Sequence, residues 1–128
     1  MSFKKTAMAM VFAFISLSIH AHEGHDTGAT KSLHGGIVKK SKNAFVEIVQ
    51  DEKIEIYVTD HNYKNLISPN FIVLAFADVK GKKLPLKLES HGANLSVSTD
   101  LKKEKHFKLN IVLKINGQEE QVSFPLEN

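Results

Sequence analysis

From Gly36 onward the chain alternates apolar and polar residues with a period of two, in short segments bounded by turn residues. That period sends one set of side chains to a single face of each strand, so the chain is committed to sheets with one buried face apiece. Candidate strands are 36–40, 44–50, 53–59, 71–79, 82–89, 94–98, 106–115 and 118–126. Their inward sets read as Ile54, Ile56 and Val58; Ile72, Leu74 and Phe76; Leu84, Leu86 and Leu88; Leu95 and Val97; Phe107, Leu109, Ile111, Leu113 and Ile115; and Val122 and Phe124. Glu55, Lys83, Lys87, Lys108, Asn110 and Lys114 occupy the opposite faces. One-sided strands need a second layer to cover them. The expected fold is therefore all-β, an immunoglobulin-like antiparallel sandwich of about seven or eight strands, here without the disulfide and tryptophan of antibody domains. Asn116-Gly117 is a type I′ hairpin signal, Lys80-Gly81 a less typical one, and Asp51-Glu52 a further turn. The one long irregular connection runs over 61–70 and ends in Ser68-Pro69-Asn70.

The amino-terminal segment obeys different rules. Lys4 and Lys5 precede an apolar run over 7–19, and Ile19-His20-Ala21 places a small residue at a cleavage position, the layout of a secretory signal. The run is shorter than the roughly 20 residues that span a bilayer, so cleavage leaves no membrane span. The expected organisation is a signal peptide at 1–21, a flexible histidine-containing tail at 22–33 and a β-sandwich domain at 34–128, with the mature protein beginning at His22 in the periplasm.

Charge and composition remove several function classes. Without Lys4 and Lys5 the 17 cations fall to 15 against 14 acids, which selects no charged partner. Every cation is lysine, so the bidentate fork that reads phosphate and guanine is missing and nucleic-acid binding is not expected. With no cysteine there is no disulfide, thiolate site or lipid-modified anchor. No nucleophile elbow, phosphate loop or dinucleotide fingerprint occurs, and an enzyme is not expected. Glu47 lies on its strand opposite Val46 and Ile48, with no partner carboxylate evident for acid catalysis.

What remains is histidine. Cleavage spares His22, His25, His34, His61, His91 and His106, and the new terminus His22-Glu23-Gly24-His25-Asp26 gathers two imidazoles, two carboxylates and an α-amine. Mixed imidazole and carboxylate favours a transition metal over calcium or magnesium. An amino-terminal His22 would chelate copper through its amine and Nδ1, whereas His25 stands one position too late for the usual square-planar terminal copper motif. The plain alternative is a solvated tail with incidental affinity. His22-Glu23-Gly24-His25 is one residue short of the zinc-protease pattern and lies in a glycine-containing tail, where no helix would align its imidazoles. In His34-Gly35-Gly36 the glycines permit a tight path that sets the histidine at the mouth of the first strand. Asp60-His61 follows a strand at a sheet end, where binding groups collect. His91 reads as a hairpin residue and His106 as a strand start.

Leu33-His34-Gly35-Gly36-Ile37-Val38, Phe45-Val46-Glu47-Ile48-Val49 and Ile54-Glu55-Ile56-Tyr57-Val58-Thr59-Asp60-His61 together resemble a pattern from bacterial heavy-metal export. The resemblance is to the amino-terminal region of periplasmic adaptors in resistance-nodulation-division cation efflux pumps, and to small periplasmic proteins related to that region. It covers about residues 22–61. It implies a β-rich periplasmic module handling copper, silver, zinc, cadmium or cobalt, with His34, Glu47, Asp60 and His61 falling on the pattern. Asn62-Tyr63-Lys64 replaces the Gly-Lys-Pro turn frequent in that family, and no helical hairpin or lipoyl-like segment follows.

The resulting expectation is a periplasmic accessory protein that captures or delivers a transition-metal cation, copper or zinc foremost, in efflux or homeostasis, with an efflux-pump component as possible partner. Its expected ligands are His22, Glu23, His25, Asp26, His34 and His61. A simple meander of the first three strands puts His34 near Gln50 and His61 near Asn43, at opposite ends of the sheet. The competing expectation is a non-metal interaction module of an envelope complex.

Overall fold

The computed structural model describes residues 31–128, and Ser32–Asn128 forms one compact unit. The expected signal segment and the ligands His22, Glu23, His25 and Asp26 lie outside the described residues. The described chain is all-β, with nine strands: β1 (Ile37–Lys40), β2 (Phe45–Gln50), β3 (Ile54–Thr59), β4 (Ile72–Val79), β5 (Lys82–Pro85), β6 (Leu88–Ser90), β7 (Leu95–Val97), β8 (His106–Ile115) and β9 (Gln118–Glu127). They make two antiparallel sheets, a five-stranded one in the order β1-β2-β3-β7-β6 and a four-stranded one in the order β5-β4-β8-β9. Among the described residues no helix is long and apolar enough to cross a membrane.

Alternation sets most inward faces. Ile54, Ile56 and Val58 of β3 are buried, as are Phe107, Leu109, Ile111 and Leu113 of β8 and Val122, Phe124 and Leu126 of β9. The β8–β9 hairpin closes through Asn116 and Gly117 with φ of 52° and 79°, the positive pair that a type I′ turn requires. Lys80 and Gly81 repeat it at 51° and 81° between β4 and β5. A Cβ-bearing lysine is costly in that conformation.

Two expectations are corrected. On β4 the inward residues are Val73, Ala75, Ala77 and Val79, while Ile72 and Leu74, read from the sequence as core, are 51% and 58% exposed and Phe76 is only half-buried. The reason is register: Ala75 lies beside Ile111 and Ala77 beside Leu109, so the large inward residues of β8 fill the space that small alanines leave. A run apolar on both parities cannot report its own face, and its neighbour decides. The run 82–89 is also two strands. β5 pairs with β4 in one sheet and β6 with β7 in the other, the switch being carried by Leu86 N–H donating to Ala75 O (3.0 Å) and Ser98 N–H donating to Lys87 O (2.8 Å). Leu84 has the inward parity but is 37% exposed at the sheet edge.

A buried acid ties the two sheets where β1 turns into β2. Glu120 of β9, only 9% exposed, accepts from Ser41 Oγ (2.6 Å), Asn43 N–H (2.9 Å) and Asn43 Nδ2 (2.6 Å). Nearby, Lys39 Nζ donates to Ser123 O (2.6 Å). Burial opposes ionisation of Glu120, but the hydrogen bonds from Ser41 and Asn43 outweigh it and hold the carboxyl below its ordinary value.

Glu120→Ala is expected to cost about 1–3 kcal/mol at neutral pH, because Asn43 and Ser41 lose their acceptor. Because the folded-state pKa is depressed, this contribution is present above the ordinary carboxylate range and fades as pH falls through the lowered value. Urea denaturation at neutral and acid pH should therefore show the gap between wild type and variant closing in acid. Lys80→Asn is expected to raise stability by about 0.5–1 kcal/mol, since asparagine tolerates the left-handed conformation better.

Candidate functional site

The chemistry gathers on the outer face of the five-stranded sheet. On β2 the residues of that face are Phe45, Glu47 and Val49, and their neighbours on β3 are Thr59, Tyr57 and Glu55. An outer face is normally wet, yet Glu47 is 5% exposed. Its cover is the chain just before β1. Gly35 has φ of 78°, and a Cβ on Gly36 would collide with the Ile48 carbonyl, so the two glycines let the backbone double back against β2.

That path wraps Glu47 in donors. Oε2 accepts from Ser32 Oγ (2.8 Å), His34 N–H (3.0 Å) and Gly36 N–H (2.8 Å), and Oε1 from Leu33 N–H (3.2 Å) and His34 Nδ1 (3.0 Å). Burial raises the Glu47 pKa, but bonds from Gly36, His34 and Ser32 more than reverse this and keep the carboxyl below its usual value. An ionised acid only accepts, so the His34 Nδ1–H is the donor of this pair, and the neutral form of the ring keeps its lone pair on Nε2. The imidazole is stacked on Tyr57 at 3.6 Å and 11°, and its side chain remains 39% exposed. Tyr57 in turn donates to Glu55 Oε1 (3.0 Å). Ring plane, tautomer and position of His34 are thus all fixed by neighbours.

His61 reaches the same face from the other side. Asp60 Oδ1 accepts from Asn62 N–H (2.8 Å) and Lys64 N–H (3.0 Å), which closes the turn after β3 with Tyr63 at φ of 65°. The His61 and Tyr63 rings then lie 4.8 Å and 5.2 Å from the Phe45 ring. Asp60, which falls on the efflux-adaptor pattern, serves this turn. The meander estimate for His34 is corrected as well: the reversal at Gly35 takes it off the strand line and onto Glu47 and Tyr57, away from Gln50. His34 and His61 consequently sit over alternate residues of one strand face, Glu47 and Phe45.

The remaining imidazoles are apart from this pair. His91 Nε2 meets the Ser96 hydroxyl at 2.8 Å, and His106 Nδ1 an exposed Glu127 at 3.3 Å. Among the described residues no three histidine or carboxylate groups are assembled around a common point. Ser32 and Leu33, expected in the tail, are engaged by Glu47, and neither Ser32 nor Tyr57 was expected at a site. Their only sequence signal is an acid inside the apolar run Phe45-Val46-Glu47-Ile48-Val49, which alternation turns outward where nothing nonlocal was visible to meet it. Comparison with family models, curated proteins and solved structures gives no match.

Nitrogen NMR of the imidazoles offers a direct check. His34 is expected in the Nδ1–H form when neutral, and Glu47→Leu should return it to the mixture of tautomers seen in exposed histidines.

Proposed function

We propose that the protein is an exported, periplasmic metal-binding accessory that captures or delivers a transition-metal cation in heavy-metal efflux or homeostasis, acting by binding and not by catalysis. The observation that carries this reading is the Glu47–His34 pair. A carboxylate on Nδ1 fixes the orientation of the imidazole and leaves Nε2 for a metal, the arrangement that recurs behind metal-ligating histidines.

One imidazole does not hold an ion. The further ligands expected from the sequence are His22, Glu23, His25 and Asp26. His61 lies over the same face and is the other nearby imidazole. An exposed histidine ligand suits exchange of the ion better than a closed structural site, which keeps four rigid ligands. Imidazole with carboxylate favours copper or zinc, with cobalt, cadmium and silver as further cargoes.

The strand order supports the immunoglobulin-like reading. With β1 set aside, β2-β3-β7-β6 and β5-β4-β8-β9 follow the sequence of pairings that defines that sandwich. Such folds host many functions, so the metal reading rests on the site alone.

Competition titration with copper and zinc tests it. His34→Ala is expected to lower affinity by at least tenfold and Glu47→Gln by about 10–100-fold, with circular dichroism confirming the fold. Replacing His22 and His25 should weaken binding comparably, and His61→Ala should weaken it less. The exported protein should begin at His22 on mass analysis. If none of these changes moves affinity beyond about twofold, the protein is better read as a non-metal interaction module of an envelope complex.

A further inference from the structure

The four-stranded sheet leaves an apolar surface on the side away from the core. Ile72 and Leu74 are 51% and 58% exposed, and Phe76 and Val112 are half-buried on the same face. Pro85 stands beside Phe76, and Lys83 Nζ lies 4.2 Å from its ring centroid. Such a face is unusual because β4 could have placed its large residues inside and its alanines outside.

We propose that this face is the contact between two copies of the chain. Charge arrangement argues for a second copy over a partner of one sign. Lys83, Lys108 and Lys114 share the face with Asp78 and Glu119, so both signs are present around the apolar centre. The ladder fixes four rows: Ile72, Lys114 and Glu119; Leu74, Val112 and Gln121; Pro85, Phe76, Asn110 and Ser123; Lys83, Asp78, Lys108 and Pro125.

Two sheets packed face to face with aligned strands can be related by a two-fold axis along the strands or across them. An axis across the strands inverts the rows and opposes Lys114 to Lys108 of the second copy. An axis along the strands, between β4 and β8, keeps each row level. Leu74 then meets Val112 of the second copy, and Asp78 meets Lys108 of the second copy, twice by symmetry. No like charges are opposed. The contact is therefore assigned to this second arrangement.

Its extent sets its strength. Four strands about 4.8 Å apart and four rows about 6.8 Å apart give roughly 500 Å² of sheet plane, below the roughly 800 Å² each partner contributes to a standard interface. A reversible dimer, not an obligate one, follows.

Sedimentation velocity of the purified protein is expected to show monomer at about 10 µM and a rise towards twice the mass by about 1 mM. Leu74→Lys alters a side chain already in solvent and should abolish that rise. Asp78→Lys and Lys108→Asp should each weaken association alone, whereas an equimolar mixture of the two variants should associate at least as well as wild type, since both cross-copy pairs are then of opposite sign. A defect of folding would not be rescued by mixing. Monomer throughout the range, open-ended aggregation, unchanged association of Leu74→Lys, or failure of the mixture would each overturn the assignment.

Discussion

Two carboxylates hold the amino-terminal edge of this domain. The edge strand β1 has four residues, three of them exposed, and one strand neighbour, so its own burial contributes little to keeping it in place. Glu47 gathers the chain immediately before it and Glu120 the turn immediately after it. Both acids stay ionised against burial because backbone and side-chain donors converge on them. Charge-assisted bonds of this kind are stronger than neutral ones, which is why a few of them substitute for a hydrophobic face. The position of His34 is a consequence of this clamp and of the Tyr57 ring on which it stacks.

The same geometry explains why function has to be sought on the outer faces. Strand side chains alternate, and the inward set here is taken up by isoleucine, leucine, valine and phenylalanine from both sheets. Among the described residues the inward acid Glu120 is saturated by Ser41 and Asn43, so it is occupied by the fold itself. Outward positions then divide into two kinds: on the five-stranded sheet the chain covers its own surface with the His34 segment and the His61 turn, and on the four-stranded sheet it leaves Ile72 and Leu74 open. A strand face covered by polar, hydrogen-bonded segments suits a small ligand. A bare apolar one suits another protein surface.

Much of this was legible because it is local. Strict alternation in β3, β8 and β9 gave their buried faces, and Asn116-Gly117 gave its hairpin. The sequence misled where the deciding partner is distant. β4 is apolar on both parities, so only its pairing with β8 tells Leu74 from Ala75. The run 82–89 looks continuous because nothing local marks the change of sheets, which is written in bonds to Ala75 and Ser98. His34 was legible as a candidate from the two glycines beside it, but its partner stands thirteen residues on, across a reversal that strand arithmetic cannot anticipate.

Under the proposed metal-handling role, the Glu47 cluster also bears on how an ion would leave. A metal held only by residues fixed in the sandwich would be released by distorting strands that are packed on the core, at a cost set by the whole domain. In the proposed role His34 would be held by contacts that belong to the fold itself, since Ser32, Leu33, His34 and Gly36 all donate to Glu47. The clamp thus separates folding from binding: donors to Glu47 stabilise the domain whether or not an ion is present, and Nε2 is oriented beforehand, so little ordering of His34 itself remains to be done on capture. For the proposed metal-handling role that separation matters, since a bound ion would not be needed to stabilise the sandwich.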